Sequence, residues 1–384
     1  GAKKIAGGVS WHSVISRVSR LCVGMREDTA VVRSSCRNIF LFFLILLSGC
    51  SGTQNHIPKP KKITPAFYHW KTNFSPTDFD LKKSDSLNVG KLYIKFFDVD
   101  WDFDKKDAFP TANINFKIIP NDSTEIVPTI FITNRTLASI PSSDIPNLAQ
   151  RINDKIFRLT PSDLKSIYNE IQIDCDWTLS TKDKFFDLIH ALDNLFIEKG
   201  ILISATIRLH QIKFFEKTGV PPVDRGMLMF YNMGNLEDWE TENSILNLEI
   251  GEQYFQNFDK YPLDLDVALP IFHWGILFRD GEMIKIINSL LEADLSDESR
   301  FKKLSENRFQ VIKSTYLNGQ YLYSDDLIRL EGIDFEELKK SAKKISQLVD
   351  NQYITISFYH LDSLNFEKFS AEKLNVVLNT FSAN

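Results

Sequence analysis

Eight short β-rich runs constrain this chain more than any other feature. They occupy residues 66–71, 91–98, 126–133, 171–177, 202–209, 226–232, 266–272 and 353–360, and most are separated by helical or loop segments. Between the fourth and fifth runs, residues 181–199 (TKDKFFDLIHALDNLFIEK) carry apolar residues at helical spacing and stop at Gly200. Residues 335–349 and 366–381 flank the last run with similar patterns. Strands that alternate with helices pair in parallel, and eight such units close on themselves. The expected fold class is therefore α/β, a single (β/α)8 TIM-like barrel over residues 65–384. No repeat of fixed period accompanies it.

The seventh and eighth runs are separated by residues 273–352, too many for one helix. Two hairpin-like pieces lie there, ILFRDGEMIKI turning at Asp280-Gly281 and YLNGQYLY turning at Asn318-Gly319. An insertion at about residues 275–330, rising over one rim of the barrel or forming a small subdomain, is expected. Roughly 330 residues follow Cys50, and a barrel of this kind typically takes roughly 250 plus its insertions.

The amino-terminal region reads differently. Residues 39–47 (IFLFFLILL) are a nine-residue apolar run preceded by Arg33 and Arg37. That is a secretory signal, too short for a spanning helix of about 20 residues. Leu47-Ser48-Gly49-Cys50 fits the lipobox of bacterial lipoproteins, which predicts cleavage before Cys50 and a lipid on its sulfur. Ser51 rather than Asp at the next position points to outer-membrane sorting in a Gram-negative bacterium. Met25 would begin a signal of ordinary length, so residues 1–24 read as upstream sequence. Residues 50–64, with Pro58, Pro60 and three lysines, read as a tether. Of four cysteines, only Cys50 and Cys175 would remain in the mature chain. With Cys50 lipidated no intrachain disulfide can form, so the domain must be held by its core.

A net charge of -5 with scattered basic residues gives no footprint for nucleic acid. No phosphate loop, dinucleotide-binding turn or serine elbow is present, and no cofactor is expected. Candidate chemistry sits at the carboxyl ends of the strands. In the fourth run Gln172, Asp174 and Asp176 share one face; in the fifth, Ser204, Thr206, Arg208 and His210 do. The apolar faces should pack under the helices, which turns these polar faces into the barrel. Two readings follow. Asp174 and Asp176 handle a substrate with split pKa values, or Asp174 and Arg208 are a structural ion pair.

Other strand ends supply Tyr68, His69 and Trp70; Asp98 and Asp100; Tyr231 and Asn232; His273 and Trp274; and Tyr359 and His360. Aromatic rings beside Asp and Asn suit a sugar, and they equally suit the top layer of a core. No closely spaced histidine pair occurs, so no metal site is expected. The second run is ambiguous in phase, because Lys95 and Asp98 cannot both face inward in a regular strand.

The pieces FYHWKTNF, KLYIKFFDVDW, IQIDCDW, ILISATIRL, MLMFYNMG and LDVALPIFHW, in that order, resemble the bacterial family called domain of unknown function 3142. The likeness covers roughly residues 66–275, and residues 227–234 are its most specific element. The sequence is also distantly similar to chitinase-type family 18 glycoside hydrolases. Those carry Asp-x-Asp-x-Glu on the fourth strand and Met-x-Tyr-Asp on the sixth. Here the strings are Asp174-Cys175-Asp176-Trp177-Thr178 and Met229-Phe230-Tyr231-Asn232. The similarity implies a glycoside-hydrolase-like barrel that binds or hydrolyses an oligosaccharide. Thr178, in place of the proton-donating Glu, cannot act as a general acid near neutral pH. The alternatives are a catalytically silent binding or envelope-assembly lipoprotein, and a metal-assisted hydrolase using the histidines. Asp174 and Asp176 are the catalytic candidates. Tyr68, Trp70, Arg208, His210, Tyr231, Asn232, His273 and Trp274 are the binding candidates.

The lipobox carries its own test. Cys50→Ser should leave the membrane fraction, or remain unprocessed, and should take up no labelled fatty acid; a variant that fractionates and labels like wild type contradicts lipidation.

Overall fold

The computed structural model describes residues 61–120, 123–164 and 168–382. The signal segment, Cys50 and most of the expected tether lie outside these residues. Among the described residues no helix is long and apolar enough to cross a membrane.

Eight parallel strands form a closed barrel. They are β1 (Lys62–His69), β2 (Lys91–Asp102), β3 (Glu125–Ile132), β4 (Glu170–Asp174), β5 (Leu202–Arg208), β6 (Arg225–Met229), β7 (Leu265–Pro270) and β8 (Tyr353–Tyr359). Each pairs with the next, β8 pairs with β1, and the register Ala66↔Lys91 to His69↔Ile94 joins β1 to β2. Every run expected from the sequence is a barrel strand. Lys62, Ile63 and Thr64, expected to end the tether, instead open β1 by pairing with Tyr353, Ile354 and Thr355.

The outer layer is less regular than a strict strand–helix alternation. Helices α1 (Asp78–Ser86), α2 (Ile145–Leu159), α3 (Lys182–Phe196), α4 (Phe335–Ser346) and α5 (Ala371–Ser382) cover the barrel. Thr77 caps α1 through a reciprocal box with Asp80, and Asp334 caps α4. After β2 the chain turns back as an antiparallel strand, Asp107–Thr111. The segments after β5 and β6 hold only short helices, Leu209–Lys213 and Leu248–Glu252.

The barrel interior is polar and largely hydrogen-bonded to itself, with Ser357 Oγ left without a partner among the described residues. At its amino end Glu170 accepts from Lys91 Nζ at 2.7 Å and Ser204 Oγ at 2.6 Å. Arg225 grips Asp266 with two hydrogen bonds, at 2.9 and 2.8 Å. One layer higher, Gln172 accepts from Tyr68 Oη at 2.6 Å and donates to Ser204 Oγ at 3.2 Å. Ile171, Ile173, Ile203, Ala205 and Ile207 point the other way and pack in the main apolar core. Alternation thus turns one face of β4 and β5 to the interior and the other to the helices.

In β2 the pairing with β3 shifts between Lys95 and Phe97, a β-bulge. A bulge adds one residue to one strand and so reverses the phase beyond it. Lys95 and Asp98 consequently meet, with Nζ to Oδ1 at 3.0 Å.

The insertion between β7 and β8 is a five-stranded antiparallel sheet, Trp274–Arg279, Glu282–Asn288, Phe301–Lys303, Arg308–Val311 and Leu327–Glu331, with a small hairpin, Thr315–Leu317 and Gln320–Leu322. It has its own apolar core around Leu277, Ile287, Phe309, Val311 and Ile328. Both anticipated hairpins form. Asp280 and Gly281 have φ of 51° and 84°, Asn318 and Gly319 of 47° and 74°. Positive φ at both central residues gives the turn whose twist matches its flanking strands.

Candidate active site

β4 ends at Asp174 and β5 at Arg208, so the next residues leave the barrel wall at its carboxyl end. Asp174 points into the interior, 5% exposed, and accepts from Thr206 Oγ1 at 2.6 Å. Burial raises the pKa of its carboxyl, and Arg208 only partly opposes that. Asp176 lies just above, in the loop, with 55% of its side chain exposed. Arg208 Nε donates to Asp176 Oδ1 at 2.5 Å and Nη2 to Oδ2 at 3.3 Å, while Asp174 Oδ1 lies 4.0 Å from Nη2. The closer partner of Arg208 is therefore Asp176, not Asp174 as the alternation alone implied. Burial works to lower the pKa of the guanidinium, and the two carboxylates outweigh it and raise it.

These residues open on a cleft of about 530 Å³ that Trp70, Tyr231, Asn232, His273 and Trp274 also line. That volume lies within the roughly 300–1,000 Å³ common for small-molecule sites. A second cavity of about 450 Å³ lies on the other side of the Asp176–Arg208 pair, and His210 and Thr178 line it. Two expected residues are placed differently. Tyr68 is wholly buried in the layer below, against Tyr93 at 4.9 Å and Tyr359 at 5.8 Å. His210 is exposed on the helix that follows β5, since the strand stops two residues earlier. Burial lowers its pKa, against the pull of Asp176.

The floor and walls of the cleft are aromatic. Tyr231 lies 5.4 Å from Tyr359 and 5.8 Å from Phe272; Phe272 lies 5.0 Å from Trp274. The rings continue through Tyr359 to Trp70 at 5.9 Å. Trp274 is held in place by the insertion. Its Nε1 donates to Glu331 Oε2 at 2.9 Å, and Glu331 in turn accepts from Arg329 at 2.7 Å and the backbone of Ser244 at 3.0 Å. Both members of the Arg329–Glu331 pair are fully buried. Ser244 also carries the loop after β6, accepting from the backbones of Met233 and Gly234 beside Asn232. One carboxylate thus ties an aromatic wall to the neighbouring loop after β6.

The histidines do not gather. His69 faces away from the interior, its Nε2 3.0 Å from the Asn73 carbonyl, and burial depresses its pKa to about 4. His273 and His360 line the cleft and are likewise lowered by burial. Among the described residues no group of three His, Cys, Asp or Glu side chains is placed to hold a metal ion. Asp98 and Asp100 are taken up by Lys95 and Arg135. Cys175 is buried in the helix layer, and burial raises its thiol pKa well above the usual value.

Four polar cleft residues are not singled out by the sequence: Lys71, Asp362, Asn288 and Ser289. Asp362 precedes an apolar stretch with Ser363 as a helix cap would, which is a readable signal. Asn288 and Ser289 come from the insertion, and nothing local marks them.

Solved structures share this fold. The C-terminal domain of a chitinase candidate from Desulfitobacterium hafniense DCB-2 superimposes with a TM-score of 0.53 at 9% identity, covering 84% of this chain and all of that one. The two share the closed parallel barrel fold. Group IV chitinase from Ostrinia furnacalis matches at 0.48 and 12% identity over 83% of this chain and 100% of that chain. The Bacillus cereus spore cortex-lytic enzyme SleL matches at 0.46 and 12% over 84% and 75%. At such identity the likeness speaks for the fold alone. No family model matches the chain, and no curated protein matches it by sequence.

The shared guanidinium predicts non-additive mutants. Asp174→Asn and Asp176→Asn each leave Arg208 one carboxylate and should cost about 1 kcal/mol or less. The double variant removes both and should cost roughly 3–5 kcal/mol, the usual penalty for an uncompensated buried charge. Denaturant unfolding of all three reads this directly, and additive losses would contradict the sharing.

Proposed function

We propose that this protein is an outer-membrane lipoprotein, akin to the family domain of unknown function 3142, whose barrel binds a glycan in the carboxyl-end cleft. Cys50 would anchor it and residues 51–61 would tether it. The single observation that carries the reading is the cleft itself, an aromatic floor from Trp70 through Tyr359 and Tyr231 to Trp274, flanked by Asp174, Asp176 and Arg208. Sugar rings present C–H faces to aromatic side chains, and their hydroxyls need donors and acceptors. The cleft offers both.

Cleavage by the chitinase route is closed to these residues. In the position of the proton donor, the Thr178 hydroxyl lies 2.9 Å from Ser180 Oγ in the turn entering α3. Asn232 replaces the second carboxylate. The barrel likeness does not reopen that route, because fold does not imply function. One observation favours a hydrolytic alternative. Asp174 is the cleft carboxyl whose protonation burial promotes, and a protonated acid is what a leaving glycosidic oxygen requires.

Calorimetric titration with neutral oligosaccharides, run beside an assay for new reducing ends, separates the two. Binding without reducing-end release is expected. Trp274→Ala should weaken binding roughly fivefold, one aromatic contact being worth about 1 kcal/mol. Release that disappears in Asp174→Asn would establish the hydrolase instead, and no binding by any glycan would refute both.

A further inference from the structure

Each positive charge lining the cleft is already matched by a carboxylate of the same chain. At one end Arg208 is held by Asp176 at 2.5 and 3.3 Å, with Asp174 at 4.0 Å. At the other end Lys71 is paired with Asp362, which also accepts from the Leu364 backbone at 3.0 Å. The lining thus sets two cations against three carboxylates. His273 and His360, on the wall beside Lys71, are kept neutral by burial. His273 Nε2 and His360 Nδ1 have no hydrogen-bond partner among the described residues.

Building on the glycan-binding reading above, we propose that the cleft admits glycans free of anionic groups, with Asp176 and Asp362 as the residues that determine this specificity. A uronate, sulfate or phosphate entering here would lose its hydration shell and meet a carboxylate at either end. At Arg208 it would compete with Asp176, and at Lys71 with Asp362. Neither exchange gains an ion pair. A hydroxyl meets no such obstacle, since carboxylate oxygens accept from it. Discrimination of this kind works by repulsion as much as by attraction.

The distinctive consequence is a gain of function. Asp176→Asn releases Arg208 toward the ligand while Asp174 stays 4.0 Å away. Asp362→Asn releases Lys71 and keeps an oxygen to cap the helix, as Asn caps about as well as Asp. The experiment titrates the whole mature chain with neutral oligosaccharides and, for each, its carboxylated counterpart of equal length. Inorganic sulfate serves as a bare anion probe. Wild type should bind the carboxylated member at least about tenfold more weakly than the neutral one. Each variant should narrow that gap by roughly tenfold, an effect of the size expected for one partly screened charge a few ångströms away. The narrowing should shrink as salt is raised. Wild type binding both members equally, or folded variants that leave the gap unchanged, would overturn the proposal. Should no glycan bind at all, the glycan reading fails separately, and sulfate then decides the charge filter. The variants should bind sulfate more tightly than wild type, and unchanged sulfate binding would overturn it.

Discussion

A barrel of eight parallel strands has one interior, and in this protein the interior is filled with polar side chains that must satisfy one another. Buried polar groups without partners cost more than most single contacts return, so such an interior depends on its hydrogen-bond network. Here it runs from Glu170 with Lys91 and Ser204, through Gln172 with Tyr68, to Asp174 with Thr206. The candidate site is the last layer of this stack. Asp174 belongs to the packed interior, Asp176 to the solvent, and Arg208 reaches both. The chemistry of the cleft is therefore set by the network below it.

Irregularities in the barrel shape the cleft as much as the regular strands do. The bulge in β2 brings Lys95 onto Asp98, and its ammonium lies 5.5 Å from the Trp70 ring. The insertion contributes Glu331, through which Trp274 and the loop bearing Asn232 are fixed relative to each other. That pair of walls rests on a buried Arg329–Glu331 bridge. Such bridges contribute little net stability but are costly to break, which suits a contact whose role is geometric.

The barrel was legible because its signal is periodic. Alternation in β4 and β5 placed Gln172, Asp174, Ser204 and Thr206 inside, and each has an interior partner. The limit of that reasoning is the end of the strand. Alternation was extended to His210, yet β5 stops at Arg208 and the next residues turn into a helix. One of its two readings pairs Arg208 with Asp174 alone, because spacing along a strand cannot show that the loop carries Asp176 back across the guanidinium. Tyr68 was recognised as a strand-end aromatic, but its depth depends on the stagger between β1 and β4, which no local pattern encodes. Glu331, which fixes Trp274, lies 57 positions away in the chain, beyond any local pattern.

Between Trp70 and Trp274 the carboxyl-end cleft combines aromatic rings with Asp174, Asp176 and Arg208. The central claim is that this cleft is where a glycan sits. A crystal structure of the protein soaked with a neutral oligosaccharide tests it most directly. The account predicts a sugar ring lying over Tyr231 and Tyr359 beside Trp274, with a hydroxyl within about 3 Å of the Asp176 carboxylate. An oligosaccharide bound elsewhere on the molecule, with this cleft empty at saturating concentration, would contradict it.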